Sequence, residues 1–197
     1  MCGFIGIAGQ PGTDVSAEIY DGLISLQHRG QDAAGILSLD QAFHLRKQNG
    51  MVRDIFGPED MSRLTGNLAI GHARYPTVGA GGEEDSQPFY INFPFGVGMA
   101  HNGNLTNFLD LKGRLFPQEN IRLQTSCDLE AILYAFARAF QRTEDSAPLG
   151  DRFRVAVEEV FQRSLGAYSV VGLLGEGALF AFRDPTGIKP LIIGKRK

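Results

Sequence analysis

Residues 1–9 read MCGFIGIAG. A cysteine follows the initiator methionine directly, and a run of apolar residues and glycines follows the cysteine. Chain termini usually fray. This one has the composition of a short buried strand, so it is expected to be tied into the fold. Two readings of Cys2 follow. It is a small hydrophobe that happens to begin a strand, or the terminus is itself the reactive site.

Outward from that strand, SAEIYDGLISLQHRG (16–30) has Ser16 as a candidate N-cap, an apolar stripe at Ile19, Leu23, Ile24 and Leu26, and Gly30 as a stop, which predicts a helix. AAGILSL (33–39) and FHLRKQ (43–48) read as strands, and MVRDIFGPEDMSRL (51–64) as short helical pieces around Pro58. NLAIGHARY (67–75) is a strand running into PTVGAGGEEDSQPF (76–89), the segment expected to be least ordered. FGVGMAHNG (95–103) is a strand ending in a polar turn. Helices are predicted in NLTNFLDLKGRLF (104–116), SCDLEAILYAFARAFQR (126–142) and PLGDRFRVAVEEVFQRSL (148–165). GAYSVVGLLG (166–175), GALFAFRD (177–184) and KPLIIGKRK (189–197) read as three closing strands, with RDPTG (183–187) as a turn. Strands at both ends with helices clustered between them predict one α+β layered domain over 1–197.

Composition narrows the function. The chain has 197 residues, 43% hydrophobic and 21% charged, enough for one full core. A net charge of −3 with dispersed Lys and Arg argues against a nucleic-acid surface. No apolar run reaches membrane length, and neither a basic n-region nor a cleavable apolar core opens the chain, so a cytoplasmic protein with no membrane partner is expected. Two cysteines, Cys2 and Cys127, are too few for a disulfide framework or a zinc site, and both are read as free thiols. His28, His72 and His101 lack metal-ligand spacing and read as core or supporting residues, so no metal is expected. No Gly-rich loop with Lys and Ser/Thr follows a strand, so no cofactor is expected in this chain either.

Polar residues concentrate in CG at the terminus, QHRGQDAAG (27–35), GHARYPTVG (71–79), AHNGNL (100–105) and TSCDLE (125–130). A thiol attacks as the thiolate and needs a base. Removal of Met1 would put a free α-amine, of pKa about 7.7–8.0, on the nucleophile's own residue. An Asn amide beside a Gly N–H, as at Asn102 and Gly103, offers two donors to an oxyanion. An Arg grips a carboxylate in two-pronged fashion, and an Asp complements an ammonium. An amino acid with a side-chain amide, such as glutamine, answers all of these groups together. The competing reading of each is plain: "HNGN" is a turn signature, Asp128 a helix cap, and the arginines ordinary ion-pair partners.

The ordered set MCGFIGI, LQHRGQDAAGI, GHARYPTVG, QPFYIN, AHNGNLTN, TSCDLEAIL and AFRDPTGIKPLIIGKR spans the chain and closely resembles the glutaminase domain of class II (N-terminal nucleophile) glutamine amidotransferases. Within that group HRGQDAAG, QPF and HNGNLTN resemble the amidophosphoribosyltransferases of purine biosynthesis, whereas glucosamine-6-phosphate synthases tend to read YRGYDSAG. The resemblance implies a four-layer αββα sandwich. It implies Cys2 as nucleophile with its amine as base, and Asn102 and Gly103 as the oxyanion hole. Arg74 would hold the glutamine α-carboxylate, Arg29 would order the neighbouring loop, and Asp128 would take the α-ammonium. Thr77 and His72 would line or support the pocket.

Three departures from the family pattern stand out. Pro76 and Cys127 occupy positions where relatives commonly carry Ser, so loop closure after Arg74 is expected to be altered and Cys127 to matter little. Nothing in 1–197 resembles the family's phosphoribosyltransferase domain with its magnesium and phosphoribosyl site. The implied partners are glutamine and a phosphoribosyltransferase domain or chain, or a homo-oligomer. The alternative to a glutaminase is a catalytically silent remnant that binds or regulates.

Overall fold

The structure, a computed structural model, describes residues 2–75 and 82–195 apart from the side chain of Phe116. Thr77 and Pro76 lie outside the described residues. Among the described residues, eight strands form two antiparallel sheets. The first has the order β1–β4–β2–β3, built from β1 (Gly3–Ala8), β2 (Ala33–Leu39), β3 (Phe43–Asn49) and β4 (Leu68–Arg74). The second has the order β5–β6–β7–β8, built from β5 (Phe89–Ile91), β6 (Val97–Leu105), β7 (Gly166–Leu174) and β8 (Ala178–Arg183). Helices α1 (Ser16–Leu26), α2 (Val52–Ile55) and α3 (Pro58–Arg63) belong with the first sheet. Helices α4 (Phe108–Glu119), α5 (Leu129–Gln141) and α6 (Leu149–Arg163) belong with the second. The result is the αββα sandwich that the sequence resembles, with α+β content as predicted.

Residue alternation dictates the layers. In β4, Ala69 and Ala73 join the cluster under α1, whereas Leu68 and Ile70 turn to the other sheet. In β1, Ile5 and Ile7 pack under α1, and Phe4 lies between the sheets. The inter-sheet layer is Leu37, Leu39, Leu68 and Ile70 against Ala100, Val171 and Leu173. Strands β2 and β4 are buried on both faces, which is why they read as nearly continuous apolar runs. The outer face of the second sheet meets α5 through stacked rings of Phe136, Phe180 and Phe182, with Phe153 of α6 inclined against all three. Continuing the alternation past Gly3, Cys2, His72 and Arg74 turn to the inter-sheet side. On β6, Val97, Met99 and Leu105 face the helices and Ala100 faces the first sheet, so His101 faces α5 and Asn102 faces the first sheet.

Several predicted boundaries change. Ser16 is not the cap of α1. It is the first helical residue, and the Asp14 carboxylate accepts its N–H and hydroxyl at 2.8 and 2.5 Å. HNGN is not a turn but the last part of β6, because β7 backs that strand residue by residue from Val97 to Leu105. Asn104 and Leu105 therefore belong to a strand, and the following helix begins at Phe108. Part of the segment expected to be least ordered is firmly held: a 3-10 turn spans Glu83–Asp85, Asp85 to Pro88 are buried, and β5 begins at Phe89. The third closing strand is absent among the described residues. The Asp184 carboxylate accepts the Thr186 N–H within the predicted turn and the Tyr168 N–H of β7; beyond it no further strand of the described residues joins β8, and Pro190 lacks an N–H for a ladder. Ile192 and Ile193 are left 91% and 84% exposed.

Candidate active site

The site lies where β1, β4 and β6 end on one side of the sandwich. β1 pairs with β4 through Gly3 and Ala73, which sets Cys2 opposite Arg74 and Tyr75. The Cys2 Sγ lies 3.4 Å from both the backbone O and the backbone N of Tyr75. The Arg29 Nε, on the 3-10 turn that ends α1, donates to the Cys2 carbonyl at 3.0 Å. Gly3 leaves room for this contact: a Cβ there would lie 3.1 Å from Leu26 Cβ and 3.4 Å from Arg29 Cδ and would press on the turn that carries Arg29. Arg29 thus holds the terminus itself, a more direct contact than ordering a neighbouring loop.

Arg74 is 5% exposed and its Nη2 lies 3.6 Å from Oδ2 of Asp85, which is fully buried. The Asp85 carboxylate also accepts the N–H and hydroxyl of Ser126 at 2.9 and 2.6 Å. The guanidinium is therefore anchored to the segment that leads into α5. Sequence reasoning passed over Asp85, because it sits in a stretch of Gly, Glu and Asp that reads as solvated loop.

On β6, Asn102 pairs with Ser169 and Gly103 with Tyr168 of β7. A Cβ at 103 would collide with the backbone carbonyl of Ala167, so glycine is demanded by close strand packing rather than by a turn. The Asn102 Oδ1 is buried with no partner among the described residues. His72 bridges the sheets: its Nε2–H donates to the His101 carbonyl at 3.1 Å. Asp128 stands at the N-cap position of α5, but its side chain makes no cap bond. Its Oδ2 accepts the Leu105 N–H at 2.7 Å, and its Oδ1 lies 3.1 Å from His101 Nε2, a contact too oblique to count as a hydrogen bond. Burial alone would raise the Asp128 pKa. The neighbouring His101 and the Leu105 N–H outweigh it and hold the carboxyl below its ordinary value.

The structure thus joins Cys2, Arg29 and Arg74 at one end of the first sheet and links Asn102, Gly103 and Asp128 to it through His72 and His101. His101, Cys127 and Asp128 bring one ligand atom each within 4.8 Å of one another, the group of described residues most suited to a metal. All three are buried, and burial pushes the Cys127 thiol up to about 12, so it keeps its proton at neutral pH. Cys127 is a buried, protonated thiol that packs as a small apolar residue.

His72 gives the site a pH signature. Burial pushes its pKa down to about 3, helped by the neighbouring His101 and Arg74. In the unfolded chain it titrates near about 6.5. As pH falls through that window the unfolded chain takes up a proton that the folded chain refuses, so stability present above about 6.5 is lost toward about 3. The unfolding free energy of the wild type is expected to fall more steeply between pH 7 and 4 than that of His72→Gln, by denaturant titration at stepped pH. Equal slopes would remove His72 as the source.

A family model described as a glutamine amidotransferase domain matches residues 72–197. The amidophosphoribosyltransferase of Escherichia coli K12 is 44% identical over 198 residues, covering 100% of this chain and 39% of the relative. That of Saccharomyces cerevisiae is 42% identical over 200 residues, again covering 39% of the relative. Among solved structures, the glutamine phosphoribosylpyrophosphate amidotransferase of B. subtilis with ADP and GMP superposes with a TM-score of 0.76 at 33% identity, over 96% of this chain and 38% of that one. The chain spans about two fifths of the length of these relatives.

Proposed function

This chain belongs to the glutamine amidotransferase domain family, and from that premise we propose that it hydrolyses the side-chain amide of glutamine to glutamate and ammonia. The reading is carried by one observation: Cys2, Arg74 and Asn102 all turn to the inter-sheet face at the ends of β1, β4 and β6, with the 3.1 Å His72–His101 bond tying the two sheets there.

In this reading Met1 is removed and the Cys2 α-amine takes the thiol proton. The Sγ attacks the amide carbon, and the oxyanion is met by the Asn102 amide and the Gly103 N–H. The amine returns its proton to the departing nitrogen, releasing ammonia and leaving a thioester. Water, activated by the same amine, attacks the thioester to give glutamate and the free thiol. Arg74, held by Asp85, grips the α-carboxylate, and Asp128 offers negative charge to the α-ammonium. Arg29 steadies the terminus through the Cys2 carbonyl.

The relatives' name and their additional length further lead us to propose a phosphoribosyl-transferring partner domain that consumes the ammonia, in purine biosynthesis and in the cytoplasm. No helix of the described residues is long and apolar enough to cross a membrane. The exposed Ile188, Ile192 and Ile193 are where such a partner would gain buried apolar area.

The test is glutamate release by the purified 197-residue chain, with intact mass reporting Met1 removal. Adding phosphoribosyl pyrophosphate with magnesium is expected to leave the rate unchanged, because a ligand shifts an equilibrium only through a site with differential affinity. Absence of glutamate release from a chain lacking Met1 would overturn the hydrolysis reading. Marked stimulation would reveal a phosphoribosyl site within 1–197.

A further inference from the structure

Strand β6 is backed along its whole length on one side only. β7 pairs with Val97 through Leu105, whereas β5 covers just Val97 to Met99. Beyond Met99 no strand of the described residues covers the second edge of β6. In an antiparallel ladder one parity of residues presents both N–H and C=O to a given edge. Here that parity is odd, since the His101 and Leu105 N–H groups leave this edge to side chains: Gln87 Oε1 takes the first at 2.7 Å and Asp128 Oδ2 the second at 2.7 Å. Gly103 lies between them on the same edge, and no side chain among the described residues takes its N–H.

Gln87 does more than fill one bond. Its Nε2 lies 3.0 Å from His101 Nδ1 and 3.5 Å from Cys127 Sγ. An amide nitrogen only donates, so Nδ1 must accept, and the ring proton sits on Nε2, toward Asp128. Turning the carboxamide over would oppose two donors at the His101 N–H, so its orientation is fixed by the pair of bonds together. The chain of contacts runs from Gln87 to the backbone and ring of His101, on to Asp128, and back to the backbone at Leu105. It closes around Gly103. Gln87, His101 and Asp128 are each under 5% exposed, so water cannot substitute for a lost partner.

We propose that Gln87 is a positioning residue for the oxyanion site: through His101 it holds the bare edge of β6 so that the Gly103 N–H and the Asn102 amide keep their aim. The proposal rests on the glutamine-hydrolysis reading. Gln87 touches neither the thiol nor the substrate groups assigned above. Its contribution is preorganisation, felt when the oxyanion forms rather than when glutamine binds.

The experiment compares the full chain with Gln87→Met, which keeps the volume and removes both hydrogen bonds to His101 together with the weaker contact to Cys127. The kcat for glutamate release is expected to fall roughly 10- to 100-fold, less than or equal to removal of a whole oxyanion donor. KM should stay within about twofold, as should the rate of Cys2 alkylation by iodoacetamide, because Gln87 touches neither Arg74 nor the Cys2 thiol, and Asp128 keeps its own bond to the Leu105 N–H. Amide hydrogen exchange, read by NMR, supplies a readout that needs no activity. His101 should exchange at least about tenfold faster in Gln87→Met, with Gly103 and Leu105 shifted in resonance, while Val171 and Leu173 on β7 stay as they are. A kcat within twofold of wild type overturns the proposal. So does a fall matched by equal losses in KM and alkylation, which marks collapse of the site, or unchanged exchange at His101. A wild type that releases no glutamate overturns the hydrolysis reading instead, and the exchange pattern then still decides whether Gln87 holds the edge.

Discussion

Cys2→Ser is expected to lower glutamine hydrolysis by roughly 10³-fold or more while leaving the fold intact, because a hydroxyl is a far poorer nucleophile than a thiolate and the change deletes one atom's identity rather than a packing volume. Cys2 sits at the strand's start with its Sγ against the Tyr75 backbone, a contact that a serine hydroxyl also satisfies. Cys127→Ser is the control. Its thiol is buried and protonated, within 3.5 Å of the Gln87 amide, where a hydroxyl is tolerated, so activity should stay close to wild type. The check is steady-state glutamate release for both variants, with circular dichroism and thermal melts as evidence of folding. Loss of activity in Cys127→Ser with retention in Cys2→Ser would reverse the assignment of the nucleophile.

The second large effect belongs to Arg74. In Arg74→Ala the KM for glutamine should rise roughly a hundredfold or more, the size expected when a buried charged contact loses one partner. Arg74→Lys should recover little, because a single ammonium cannot make the two-pronged contact of a guanidinium. The structure adds a consequence that the substrate role alone does not carry. Asp85 is fully buried and loses its cation, so Arg74→Ala should also destabilise the fold by about 3 kcal/mol, moderated by the two Ser126 donors that remain. The double change Arg74→Ala with Asp85→Asn should regain stability without regaining affinity. Denaturant unfolding read beside glutamine kinetics separates the two roles. If KM is unchanged in Arg74→Ala, Arg74 does not bind the carboxylate and serves only as Asp85's counter-ion.

What was legible along the chain was whatever one segment decides alone. The apolar stripe of α1 and the amphipathic runs of α5 and α6 mark helices, because burial of one face repeats every three to four residues. The strands β1, β2, β4, β6 and β7 show as short apolar runs, and with the motif set they identify the αββα sandwich and point to Cys2, Arg74, Asn102, Gly103 and Asp128. What tertiary contact alone decided is of another kind. HNGN has the composition of a turn, yet it continues as strand because β7 supplies a ladder along its full length. Asp128 has the position of a cap, yet its carboxylate turns away to the Leu105 N–H, a bond across 23 residues that no local pattern encodes. Asp85 and Gln87 read as loop, yet burial against Arg74, Ser126 and His101 makes them the supports of the site. KPLIIGKRK has the residues of a strand, yet its described part has no neighbouring strand to pair with. Propensity and periodicity are properties of one segment, whereas a strand edge, a buried counter-ion or a captured amide exists only once a second segment has arrived beside it.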